Sequence, residues 1–242
     1  MRLLAIDTST EWLSLALQAD GQVQSHTAAG GALTSTDLIP QIQRLMAKAG
    51  LRWTDLNALV FGAGPGSFTG LRSACAVVQG LAFGAGVPVL PVDTLLAVAE
   101  EARQQLGAAD SFLVTALLDA RMDQMYAACY IYECATWSKT KGHELISPED
   151  IDQFTDSADG LLAGNVFSVY GPRLSAGHGR RVTAMPSAQA MLRLAPGLLA
   201  SGYAVSAAQA LPTYVRDKVA QTTAERAALK AAATLIRPCV PG

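Results

Sequence analysis

The chain has 242 residues, 50% of them apolar and 16% charged, with a formal net charge of −2. That length suffices for two lobes of about 100–130 residues, each with its own core, while a charged fraction below the roughly 25% of an average soluble protein suggests surface buried against another chain. The charge argues against an autonomous nucleic-acid binder, no apolar run reaches the roughly 18 residues of a membrane span, and Met1-Arg2 leads into a strand-like run without a secretory leader pattern, so a cytoplasmic location is expected.

Leu3 to Asp7 reads as a buried strand, Trp12 to Leu17 alternates, and Ala19-Asp20-Gly21-Gln22 turns the chain into a third strand near Val23 to Thr27. Thr34, Ser35 and Thr36 offer N-caps for a helix whose apolar stripe is Leu38, Ile42, Leu45, Met46 and Ala49, closed by Gly50. Pro40 is expected near its first turn. A strand at Ala58 to Phe61, a glycine-rich loop, a helix from about Gly70 to Gly84, a strand at Val87 to Val92 and a helix from Thr94 to Leu106 follow. The order βββαβαβα then repeats. Strands are expected at Phe112 to Asp119, Gln124 to Tyr132 and Lys141 to Ile146, a helix start at Ser147-Pro148-Glu149-Asp150, a strand at Leu161 to Ala163, and a helix at Ser187 to Leu199 kinked or broken by Pro196.

Two copies of this order imply two sheets flanked by helices with a cleft between them. That is the duplicated actin-like, ribonuclease H-like α/β architecture shared by actin, sugar kinases and Hsp70-type ATPases. The expected division is a first lobe over 1–106, a second over 107–211 and a tail over 212–242. From Thr213 onward the tail carries five basic residues (Arg216, Lys218, Arg226, Lys230, Arg237) against two acidic ones (Asp217, Glu225), and Thr222 to Ile236 reads as a solvated Ala-rich helix.

Cys75, Cys129, Cys134 and Cys239 lack CxxC or zinc-finger spacing, and Cys75 and Cys129 sit in apolar periodic segments, as packing residues do. His26, His143 and His178 form no HxxxH or HExxH pair, so no metal site is expected and a metallopeptidase is disfavoured. No nucleophile–base pair stands out, so no catalytic residue is assigned.

Three segments carry candidate chemistry. Gly62 to Gly70 (GAGPGSFTG) lies between a strand and a helix, where converging N–H groups suit an anion. No Lys-Ser/Thr follows it, and Ser67 stands where the GxGxxG spacing needs glycine, so neither a Walker A nor a Rossmann loop is present. An anion cradle built on Gly64, Gly66, Ser67 and Thr69, and a tight turn with Ser67 or Thr69 capping the helix, both remain open. In actin-like ATPases the first strand ends in Asp and a glycine turn close to the phosphates. Here Asp7 is followed by Thr8, Ser9 and Thr10, whose Cβ atoms weaken that approach. Asp7 either holds a magnesium-bound water or caps a turn, the second being favoured; a residual ATPase or kinase is the rival reading. Asp119 and Arg121, with Tyr126 nearby, either pair across a hairpin corner or recognise a partner in the cleft. Finally, Leu71, Ala74, Cys75, Val78 and Leu81 on the 71–84 helix, interleaved with small residues, suit either helix-on-helix association or burial within the chain itself.

The segments Ala5-Ile-Asp-Thr-Ser-Thr10, Gly64-Pro-Gly-Ser-Phe-Thr-Gly-Leu-Arg72, Gly80-Leu-Ala82, Asp119-Ala-Arg121 with Tyr126, and Tyr214-Val-Arg216 resemble the TsaB (YeaZ) family from residue 1 to about 220. The resemblance implies a non-catalytic scaffold in synthesis of threonylcarbamoyladenosine (t6A) beside the tRNA anticodon. It implies a heterodimer with the transferase TsaD through the first-lobe helices, with the Leu38, Ile42, Leu45, Met46, Leu71, Ala74, Cys75, Val78 and Leu81 stripe as interface. It further implies the ATPase TsaE docking on that pair, a homodimer when alone, tRNA reached only through the complex, and no cofactor beyond weak nucleotide binding at the TsaD interface. Thr34 stands where the family often has His, and Gln124 where it has Glu after Asp-Ala-Arg. Its Val-Ser-Ser-Leu is here Val92-Asp93-Thr94-Leu95, so those positions carry no transferable role.

Overall fold

The structure, a computed structural model, describes residues 1–30, 34–107, 111–155, 160–175 and 179–216; the Ala-rich tail helix, Cys239 and His178 lie outside the described residues. The first half runs β1 (Leu3–Asp7), β2 (Trp12–Ala19), β3 (Gln22–Ala29), α1 (Thr34–Lys48), β4 (Ala58–Gly64), α2 (Phe68–Ala85), β5 (Val89–Asp93) and α3 (Thr94–Leu106). The second repeats it with β6 (Phe112–Asp119), β7 (Met125–Glu133), β8 (Thr136–Ile146), α4 (Ile151–Phe154), β9 (Leu161–Gly164), α5 (Phe167–Tyr170), β10 (Arg181–Thr183) and α6 (Ala188–Ala200).

Both sheets have the same order, β3-β2-β1-β4-β5 and β8-β7-β6-β9-β10. In each, an antiparallel meander is joined to parallel strands through crossover helices. This is the duplicated two-lobed α/β fold that the element order implies. The β2–β3 turn places Asp20 and Gly21 at φ 50° and 81°, the paired left-handed conformation of a tight two-residue hairpin.

α1 and α2 lie on one face of the first sheet, where Leu38, Ile42, Leu45, Met46, Ala74, Cys75 and Val78 join Leu4, Ile6, Leu59 and Phe61 in a single core. Leu71 is likewise sealed at 1% exposure and Leu81 is half-buried. This corrects the expected partner interface. An apolar helical stripe shows that something covers it, and here its own sheet does. The Cys75 thiol and the Gln79 amide also donate to the Ala210 carbonyl at 3.2 and 2.8 Å, so α2 holds the returning chain as well.

The expected lobe boundary at 211 also shifts. α6 packs on β1, β2, β4 and β5 of the first sheet, and Val205 bridges to Val89. Residues from about 187 to 213 therefore rejoin the first lobe, and α3 sits between the sheets with its Leu95, Val98, Ala99 and Ala102 in the second-lobe core. Pro196 does not end α6, which continues to Ala200, and Pro40 lies inside α1 rather than in its first turn.

Two carboxylates, half-buried Asp93 and buried Glu100, tie the lobes together along α3. Asp93 caps α3 through Leu95 N–H, while its other oxygen accepts from Tyr130 Oη, His143 Nε2 and Lys139 Nζ at 2.7, 2.8 and 2.7 Å. Burial pushes the Asp93 pKa up, but these donors outweigh it and leave the carboxyl below its ordinary range. Glu100, 2% exposed, accepts from Arg103, Arg193 and the Trp137 indole.

Candidate functional site

The cleft opens at the carboxyl ends of β1, β4, β6 and β9, where open α/β sheets place ligands. β1 delivers Asp7, whose Oδ1 accepts from the Ser9 N–H at 3.2 Å and the Ser9 hydroxyl at 2.8 Å. Asp7 is 1% exposed, and its Oδ2 is buried without a partner among the described residues. Burial raises its pKa to about 7 against the lowering effect of the Ser9 bonds. Asp7 is therefore a turn cap sealed behind Ser9, outside the cleft lining.

The loop between β4 and α2 is fastened to the same strand end. Ser67 N–H donates to the Ser9 carbonyl at 2.7 Å, and the Thr8 hydroxyl donates to the Gly70 carbonyl at 2.7 Å. A Cβ on Gly66 would lie 2.5 Å from the Ser9 oxygen, and one on Gly70 would overlap the Thr8 oxygen, so these glycines permit two backbones to touch. Ser67 caps α2 by accepting from Gly70 N–H. The capped-turn reading holds, with the N–H groups of Phe68 and Thr69 left free of helical partners by their place in the first turn.

The opposite wall is the β6–β7 corner. Asp119 Oδ1 accepts from Arg121 N–H and Tyr170 Oη, both at 2.8 Å, while its Oδ2 pairs with the Arg121 guanidinium at 3.3 Å. Burial, together with the hydrogen bond to Asp119, raises the Tyr170 pKa to about 12. Arg121, Met122 and Asp123 all have φ near 60°, a left-handed run that costs of order 1 kcal/mol or more per non-glycine residue. Arg216 supports it, donating to the Ala120 and Arg121 carbonyls at 3.0 and 3.3 Å.

Residues 213–216 form a strap across the mouth. Thr213 N–H donates to the Ala63 carbonyl, and Tyr214 lies 5.3 Å from the Phe68 ring and accepts from Arg72 Nε at 3.0 Å. Val215 packs on the second-lobe core. The cavity between the two walls measures about 650 Å³ and opens to solvent.

Of the expected residues, Thr8, Ser9, Gly66, Ser67 and Thr69 on one wall and Asp119, Arg121 and Tyr126 on the other line this one cavity. Asp7 and Gly64 do not; a Cβ on Gly64 would run into Thr213 of the strap. Trp12 and Asn165 also line it and were missed. Asn165 directly follows Gly164 at the end of a strand equivalent to β4, a position the internal repeat alone would have flagged.

A family model described as TsaD, tRNA N6-adenosine threonylcarbamoyltransferase, matches residues 15–238. The tRNA threonylcarbamoyladenosine biosynthesis protein TsaB of Escherichia coli (strain K12) is 35% identical over 227 residues, covering 91% of this chain and 96% of that protein. The chain belongs to the TsaB family. The TsaB of Haemophilus influenzae is 33% identical over 90% of this chain and 95% of its own length. Among solved structures, YeaZ from Pseudomonas aeruginosa superposes with a TM-score of 0.79 at 37% identity, covering 88% of this chain and 99% of that one. The TsaB likeness thus extends through both lobes.

Proposed function

We propose that this chain is a non-catalytic subunit of the t6A-forming machinery, binding a TsaD-type transferase and supporting threonylcarbamoyl transfer to the adenosine beside the tRNA anticodon. The TsaB relatives carry the pathway assignment. Asp7 carries the non-catalytic part: the carboxylate that an actin-like ATPase aims at phosphate-bound metal is here spent on Ser9 and sealed away.

With their inner stripe committed to the core, α1 and α2 offer a partner their outward faces. α2 exposes Ala76, Gly80, Phe83 and Gly84, with Phe83 at 83% exposure, and Ile39 of α1 is exposed on the same side of the sheet. Small residues let a second helix approach closely, and exposed Phe and Ile supply burial on contact. The same face serves self-association when the chain is alone, with TsaE as a further partner of the pair and tRNA reached through the complex. Size-exclusion chromatography of the purified chain with the TsaD of its own organism tests this. A shared peak and t6A formation that needs both proteins are expected; separate elution with full transfer by TsaD alone would refute it.

A further inference from the structure

The cleft retains polar groups that the partner-binding reading does not use. Tyr126 is 8% exposed, its ring in the second-lobe core, yet its hydroxyl has no hydrogen-bond partner among the described residues. Because that oxygen is not among the sealed, unpaired atoms, it opens to the cavity that Tyr126 lines. Facing it across the cavity, the eighteen-residue α2 begins at Phe68 and Thr69, whose N–H groups and helix dipole favour negative charge.

The charges agree. Arg216 lines the cavity and Arg72 stacks 3.9 Å from the centre of the lining Phe68 ring, and neither has a carboxylate partner among the described residues. Arg121 shares one carboxylate oxygen of Asp119, and the Arg121 side chain is 76% exposed. Of the carboxylates, Asp119 is saturated by Arg121 and Tyr170, Asp7 is turned away behind Ser9, and Glu11 is exposed at the rim. The free groups are donors, and among the described residues no group of carboxylates is placed to hold a metal ion. Trp12, Phe68 and Tyr214, all partly exposed, line the mouth with aromatic surface, and about 650 Å³ exceeds what an inorganic ion needs.

We infer that the cleft binds a small organic phosphomonoester without a metal ion, its oxyanion held between the α2 N-terminus, the Tyr126 hydroxyl and Arg121, and its organic part against the aromatic mouth. This differs from a magnesium–triphosphate site in its ligand set, and it stands or falls independently of transferase binding.

Calorimetry on the full chain in EDTA, with AMP, adenosine and inorganic phosphate as probes, tests it. AMP is expected to bind, adenosine at least tenfold more weakly, and phosphate to compete with AMP. Tyr126→Phe, which keeps the ring and removes one hydrogen bond, should weaken AMP about three- to tenfold. Arg121→Gln, at a side chain 76% exposed, removes the guanidinium and is the second variant should Tyr126→Phe melt early; it should weaken AMP in the same sense. The inference is overturned if no probe binds at millimolar concentration, if adenosine binds as well as AMP, if binding needs magnesium, or if folded Tyr126→Phe and Arg121→Gln both bind like the wild type.

Discussion

Asp7→Asn should stabilise this protein at alkaline pH, although it replaces a fully buried residue that already accepts two hydrogen bonds. Asn keeps an oxygen for Ser9 and removes the charge from the side whose Oδ2 has no partner. With the folded carboxyl titrating at about 7 against 3.8 when free, the folded state binds the proton more tightly than the unfolded state. Wild-type stability therefore falls as pH rises between those values and is level outside them. The window spans about three pH units at 1.36 kcal/mol each, so the penalty approaches about 4 kcal/mol above pH 7. Urea unfolding of wild type and Asp7→Asn from pH 4 to 8.5 reads the difference directly. The variant should match wild type near pH 4 and gain progressively, reaching about 2–4 kcal/mol by pH 8. A difference that stays flat with pH, or a variant weaker at pH 8, would refute the sealed-cap account of Asp7.

Three further outcomes follow from packing. Gly70→Ala should cost about 1–3 kcal/mol despite the better helix former, because its Cβ overlaps the Thr8 carbonyl oxygen; thermal melting would show it. Glu100→Ala should cost about 3 kcal/mol in chemical denaturation, since the buried carboxylate between Arg103, Arg193 and Trp137 disappears. Val78→Asp, at 0% exposure, should leave little folded protein by circular dichroism, a buried unpaired charge being worth several kcal/mol against a marginal total.

Much of the fold is legible in the residues because its signals are local. α3 over Thr94–Leu106 and β6 over Phe112–Asp119 follow from apolar periodicity and flanking caps, and the repeat of element order supplies the second sheet. β8 begins at Thr136, five residues earlier than its pattern suggests, because an edge strand can be polar on both faces. The three-residue β10 is too short to produce a period.

The functional side was less legible for a different reason. Leu45 and Val78 belong to a stripe that a partner helix or the chain's own sheet would cover equally well, and periodicity does not say which. The outward signal was present but weaker: Gly80 inside α2 and Gly84 in its last turn, with exposed Phe83 between them, have no reason in the monomer's own packing. Asp7 was more readable, since an Asp side chain after a strand readily accepts from the backbone N–H two residues on, as Asp7 does from Ser9. The return of α6 to the first lobe is a tertiary event that no local pattern encodes.

The account places the partner on the outward face of α2, and Gly80→Arg tests that placement most directly. Gly80 is exposed, with nothing within 4 Å of an added Cβ, so the variant should melt no lower than wild type. Mixed with TsaD on a size-exclusion column, it should elute alone and fail to support t6A formation. A folded Gly80→Arg protein that co-elutes with TsaD as wild type does would contradict the account.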